Sequence, residues 1–208
     1  MISSPKYKTV VIWLGVFTIS FFAFFTIVYP YSIYSLNKSF TFETPYSKSN
    51  GYTHSELLQR FEANYEKDLD QWYDSEIEDR NLVVVHTQYI LDIFKQEWLL
   101  DDSVTKIDET ALQVAREKLL SARSTMFNFL IQLDLTYDQK QMLRYLLSGA
   151  DYQIDEIDTL LDNPFYTRTT LKRVFGNLEQ AYTVFFSMYR SFYESCVQIR
   201  PTFSIERQ

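Results

Sequence analysis

The chain has 208 residues, with 20 Lys and Arg against 27 Asp and Glu and a net charge of −7. Its acidic excess lies beyond residue 52, because Glu43 is the only acidic residue before that point. An acidic domain lacks the clustered positive charge that binds nucleic acid or an anionic lipid surface, which argues against both partners. Cys196 is the only cysteine, so no intrachain disulfide can form and packing must hold the fold.

The first predicted element is a transmembrane helix at residues 9–29. This run is almost entirely apolar, and no charged residue occurs between Lys8 and Lys38. About 20 apolar residues, rising about 1.5 Å each, match the ~30 Å hydrocarbon core of a bilayer. Lys6 and Lys8 precede the run, and positive charge on that side favours a cytoplasmic tail at residues 1–8. The sequence therefore predicts a single-pass cell-membrane protein with an extracytoplasmic C-terminal domain.

Two other interpretations of residues 9–29 stay open. A cleaved secretory signal usually has a shorter apolar region and small residues at its cleavage site, whereas bulky Tyr29 and Tyr31 follow this run. A buried core helix would need protein on every side, because the run is apolar all round. We expect a retained signal-anchor, with cleavage as the first alternative.

Residues 30–52 are predicted to be a juxtamembrane linker, because they are rich in Ser, Thr, Tyr and Pro and show no helical period. A helical domain is predicted to follow at residues 53–208. Side chains that can cap a first turn indicate where its helices begin; they are Thr53, Asp108, Thr136 and Thr167.

Four helical segments are predicted in this domain, at residues 54–100, 109–134, 137–162 and 168–199. The last three carry apolar residues at alternating steps of three and four, as in Leu112, Ala115 and Leu119. Helices with this coiled-coil-like period and short connections pack as antiparallel neighbours crossing at about 20°. The predicted fold class is all-α: a single N-terminal transmembrane helix followed by an antiparallel four- or five-helix bundle.

The first segment is too long for that bundle. Unbroken, residues 54–100 would run about 70 Å, against about 39 Å for the third helix, at ~1.5 Å per residue. Glu76 and Asp79 fall on its apolar stripe, where unpaired acids are costly. We expect a break near residues 73–80 and a fifth helix folded back on the bundle; the alternative is a stalk formed by residues 53–80.

No catalytic, cofactor or metal motif is found. A di-iron bundle needs Glu-x-x-His pairs, but Val83 stands three residues before His86 and Gly51 three before His54. His86 is interpreted as a core or boundary histidine and Cys196 as an inert thiol on the last helix. The acidic residues are interpreted as solvated faces, because no calcium-loop spacing accompanies them. They are Glu62, Glu66, Asp68, Asp70, Asp74, Glu76, Glu78 and Asp79, with a second set at Asp151, Asp155, Asp158 and Asp162.

Aromatic residues make up 17% of the chain, more than a small core requires. A surplus left on the surface would mark a partner site, and the candidates are Tyr65, Trp72, Phe186 and Tyr193. The sequence therefore predicts a non-catalytic membrane-anchored interaction module, which acts as a scaffold, adaptor or inhibitor of another envelope or surface protein. The alternative is an extracytoplasmic ligand-binding or sensory bundle that signals through a separate membrane partner. An apolar core cavity would favour the alternative.

Overall fold

The computed structural model describes residues 5–44, 53–73, 82–100 and 104–197. Within them the chain is mostly helical, as predicted, and forms seven helices and two strands. In chain order these are α1 (Pro5–Val28), β1 (Ser39–Glu43), α2 (His54–Tyr73), α3 (Leu82–Leu91), α4 (Glu97–Leu100), β2 (Val104–Asp108), α5 (Glu109–Gln132), α6 (Tyr137–Asp162) and α7 (Arg168–Val197). The small β1–β2 sheet is missing from the all-α prediction.

Helix α1 contains a run, Tyr7–Val28, that is long and apolar enough to cross a membrane. None of its most apolar 18-residue window is buried by the rest of the protein. The interpretation as a buried core helix is therefore wrong, because protein does not surround this helix.

Residues 29–44 (the junction segment) pack against the domain, which differs from the linker predicted at residues 30–52. Residues 45–52 of that prediction lie outside the described part of the chain. Phe40 and Phe42 alternate with solvent-facing residues in β1, which pairs antiparallel with β2. Both rings lie on Phe175 of α7, with centroids 5.5 and 5.6 Å away. Tyr31 is buried and its hydroxyl donates to the carbonyl oxygen of Ile107 in β2 (3.0 Å). The prediction failed because these contacts join residues far apart in sequence and leave no local period.

Helices α5, α6 and α7 follow the predicted stripes, and their bounds agree with the prediction to within two residues. Helix α5 packs on α6, α6 packs on α7, and α3 contacts both α5 and α7. Gly149 lets α6 approach α7, since a Cβ there would lie 3.1 Å from a ring carbon of Phe185. Leu147 is only half-buried, although it continues the steps of four and three residues between the buried Leu143 and Ala150.

The predicted first segment is divided into α2, α3 and the short α4. Leu58, Phe61 and Tyr65 of α2 are buried, so the described part of this helix does not expose its apolar stripe as a stalk would. The expected corner at residues 73–80 lies almost wholly outside the described residues.

All four predicted helix caps are confirmed. At the start of α7 the N–H of Thr170 donates to the Thr167 hydroxyl (3.2 Å). The Thr53 hydroxyl accepts from the N–H of Glu56, whose carboxylate accepts from the N–H of Thr53 (3.2 and 2.8 Å). Thr136 forms the same reciprocal box with Gln139, and Asp108 caps α5. These bonds satisfy N–H groups that have no partner in a first turn.

Candidate functional site

The aromatic residues predicted to face a partner are mostly inside the domain. Tyr65, Phe186 and Tyr193 are buried, and the Phe61 ring links two of them, with centroids 5.8 Å from Phe186 and 5.1 Å from Tyr193. These three do not form an exposed aromatic surface, because α2 covers this side of α7. The side chain of Trp72 lies outside the described part of the chain, so its role stays a prediction.

The α2–α7 contact also contains polar groups. The Tyr193 hydroxyl donates to a carboxylate oxygen of Asp68 (3.0 Å), and burial together with this negative charge raises the pKa of Tyr193. At the other end of α2, the His54 ring packs beside the rings of Phe94 and Phe186, with centroids 6.4 and 5.5 Å away. Neither ring nitrogen makes a hydrogen bond of regular geometry with a described residue. Burial lowers the pKa of His54, and the backbone of Phe94 opposes this only in part.

Cys196 is half-buried near the end of α7. Burial raises the pKa of its thiol to about 11, against a smaller opposing effect of Ser195. A thiol with a raised pKa is a poor nucleophile at neutral pH, which agrees with its interpretation as an inert residue.

A polar cleft of about 480 Å³ lies between α2 and α3. Its lining carries three carboxylates and one lysine, and Lys95 is paired with Glu62 at 2.6 Å. The lining residues are Glu62, Tyr65, Glu66, Gln88, Tyr89, Leu91, Asp92 and Lys95. The sequence had indicated Glu62 and Glu66 only as a solvated face, since nothing local shows that α3 faces them across a cleft.

A second surface feature lies on the outer side of α5. Leu120, Phe127 and Ile131 are 38%, 49% and 66% exposed, although the opposite side of this helix is buried. They are separated by seven and four residues, so they share one face of the helix. We call this set the α5 stripe. None of these three residues is among the partner-site candidates taken from the sequence, although their regular spacing outside the apolar stripe of α5 is a signal that could have found them.

Among the residues that the structure describes, no group of three or more His, Cys, Asp or Glu side chains is arranged to hold a metal ion. Two tyrosine hydroxyl groups inside the domain have side-chain partners. Tyr189 bonds to Thr87 (2.7 Å), and the amide of Gln96 donates to the Tyr182 hydroxyl (3.2 Å).

No family model matches this chain, and neither curated proteins nor solved structures show significant similarity to it.

Proposed function

We propose that this protein is a membrane-anchored, non-catalytic helical module that binds another protein of the cell envelope. Helix α1 supplies the anchor, with the N-terminal tail in the cytoplasm and the domain outside. We also infer that α2, α3, α5, α6 and α7 form a five-helix bundle, which the pairwise helix contacts support. No cofactor and no nucleic acid enters this function.

The α5 stripe is the observation that carries the proposal. Exposed apolar residues scattered singly are normal on a soluble protein, but these three align along one helix face. The steps of seven and four from Leu120 to Ile131 match the heptad spacing by which one helix packs on another. The occupant that fits is an amphipathic helix of a different protein, presenting its own apolar heptad positions.

Photo-crosslinking in native membranes tests this surface. A benzoylphenylalanine at position 127 or 131 should form one dominant adduct with a second protein. Benzoylphenylalanine in place of Tyr152 of α6 is the control, because Tyr152 is 48% exposed and Phe127 is 49% exposed. This control should give no dominant adduct. Peptide mapping should place the adduct on an amphipathic helix, and Phe127→Asp should abolish the adduct formed from position 131. Equal yields at positions 127 and 152, or an adduct at twice the chain mass, would contradict a specific foreign helix.

The anchor is tested separately by adding protease to intact cells. Digestion should remove the domain and leave a protected fragment that contains the N-terminal tail and α1. A fully protected domain would reverse the proposed orientation, and secretion of a chain lacking α1 would show a cleaved signal.

The α2–α3 cleft favours ligand binding as a second candidate function. Its volume falls in the range of ligand sites, and its carboxylates outnumber its single lysine, so it fits a small organic cation. Spermine titrated into the full-length protein should raise its unfolding temperature. Glu66→Gln with Asp92→Asn should remove the effect, and Asp70→Asn, elsewhere on α2, should retain it. An equal rise in unfolding temperature in the wild type, the double variant and Asp70→Asn would indicate that spermine binds the acidic surface non-specifically.

A further inference from the structure

The chain does not leave α1 straight into the domain. Residues 29–36 (the fold-back loop) reverse direction, and the ring of Tyr34 lies beside those of Phe21 and Phe25, with centroids 5.4 and 5.1 Å away. Phe21 stands seven residues before the end of α1 at Val28, which is about 10 Å along the helix axis. The loop therefore returns alongside the last two turns of the apolar helix.

The backbone of the loop is bonded in a way that suits an apolar environment. The N–H of Leu36 donates to the Thr26 hydroxyl (2.9 Å), which itself donates to the carbonyl oxygen of Phe22 (2.7 Å). The N–H groups of Ser32 and Ser35 donate to carbonyl oxygens within the loop, both at 3.0 Å. Polar backbone groups at membrane depth need protein partners of this kind, because hydrocarbon offers none.

A second contact fixes the domain against the same end of α1. The Arg168 guanidinium donates to the carbonyl oxygens of Ile27 and Thr26, which belong to the last turn of the helix. Phe165, in the turn between α6 and α7, packs edge-on against Tyr29 with centroids 6.2 Å apart. The start of α7 is thus held at the level where α1 ends.

Three apolar side chains of this region are exposed. Ile33 and Leu36 are 67% and 77% exposed, and Phe165 is half exposed. The first two turns of α7, which begin at this level, carry three exposed cations, Arg168, Lys172 and Arg173. The whole chain is acidic, so this local combination of apolar and basic groups differs from the average surface and matches the boundary between acyl chains and anionic headgroups.

We propose that Ile33, Leu36 and Phe165 insert into the leaflet at which α1 ends, so that the domain is seated on the bilayer surface. This inference rests on the proposed membrane anchor. A 22-residue helix spans about 33 Å, so Phe25 lies near the hydrocarbon edge and the fold-back loop lies at headgroup level or just below it. The net acidic charge of the domain argues against binding to an anionic lipid surface. In this arrangement only a small part of the domain contacts the lipid, and that part is apolar and basic.

Depth-dependent quenching tests the proposal on the full-length chain in bilayers. With Cys196→Ser as background, single cysteines at Ile33, Leu36, Ser20 and Val184 are labelled with an environment-sensitive fluorophore. Lipids carrying a quencher near the headgroups are then added. Val184 is the matched control, because it is an exposed aliphatic residue about 24 Å along α7 from Arg168. Circular dichroism verifies that each labelled protein is folded.

Labels at positions 33 and 36 should show blue-shifted emission and strong quenching, whereas the label at 184 should behave as in water. The label at Ser20 reports the anchor itself. Solvent-like signals at 33 and 36 with a buried signal at 20 would overturn the seated domain and leave the anchor standing. A solvent-like signal at 20 would overturn both.

Discussion

Helices α5 to α7 and the junction segment both bury aromatic and aliphatic side chains, but they achieve it differently. In the three helices, residues three and four apart share one face, so the spacing of apolar residues within each helix predicts which side chains are buried. In the junction segment, Phe40 and Phe42 are buried only because β2 and α7 come to them from more than 60 residues away. The periodicity of the sequence therefore predicts the buried residues of α5 to α7 but not those of the junction segment.

The comparison can be sharpened by substitutions in each region. The largest expected effect is in the helical core, where Phe185 is buried and lies against Gly149 of α6. Phe185→Ala should lower the free energy of unfolding by about 4 kcal/mol, because it removes a ring and leaves a cavity. Denaturant unfolding of the detergent-solubilised protein, followed by circular dichroism, measures the loss.

Val184→Ala is the matched control for that substitution. Val184 is the preceding residue of α7 and is exposed, so its truncation should change the free energy of unfolding by less than about 0.5 kcal/mol. Similar losses in the two variants would mean that this stretch of α7 is not packed as described.

The junction segment gives the next largest effect. Phe42→Ala should cost about 3 kcal/mol, because the ring packs on Phe175 and is almost completely buried. Thr41→Ala, one residue earlier and solvent-facing, should cost far less. If residues 30–52 were an unstructured linker, both variants would unfold with the wild-type midpoint.

This contrast also explains which parts of the molecule the sequence predicts. The caps at Thr53, Asp108 and Thr136, the bounds of α5 to α7 and the apolar helix α1 all follow from patterns within one segment. The β1–β2 sheet, the α2–α3 cleft and the fold-back loop depend on which segments meet. The aromatic candidates Tyr65, Phe186 and Tyr193 are predicted on the surface for the same reason: the sequence does not show that α2 and α7 pack against each other.

Hydroxyl groups inside the helical core provide a smaller test. Thr87 donates to the carbonyl oxygen of Val83 and bonds to Tyr189, whose hydroxyl is completely buried. Thr87→Val should cost about 2 kcal/mol, because it leaves the tyrosine hydroxyl without its partner. Tyr189→Phe should cost about 1 kcal/mol, because Thr87 keeps its bond to Val83. A larger loss in Tyr189→Phe than in Thr87→Val would contradict this order.

The pH dependence of stability tests the contact between α2 and α7. Burial lowers the pKa of native His54, so the unfolded chain binds a proton first as the pH falls. The contribution of this residue to stability is complete above its unfolded pKa of about 6.5 and is lost as the pH falls from there to the lowered native pKa. Between about pH 7.5 and about pH 5.5, the wild type should lose more unfolding free energy than His54→Phe. Parallel losses would show that His54 does not titrate differently in the folded protein.

The smallest expected effect concerns the acidic face of α6, which the sequence indicated as simply solvated. Asp151 pairs with Arg123 and Asp158 with Arg116, two turns apart on both helices. Arg123 follows Arg116 in α5, whereas its partner Asp151 precedes Asp158 in α6. The two ion pairs are therefore compatible only with an antiparallel arrangement of α5 and α6 in this register.

A double-mutant cycle on Arg123 and Asp151 should give a coupling of only about 0.2–1 kcal/mol, because both side chains are half exposed and water screens their attraction. The coupling should fall further in high salt, whereas the loss in Phe185→Ala should not. A coupling comparable to the loss of the Phe185 ring would mean that α5 and α6 are held together by charge. Apolar packing along Leu119, Ala122 and Leu146 would then be the lesser contribution, contrary to their complete burial.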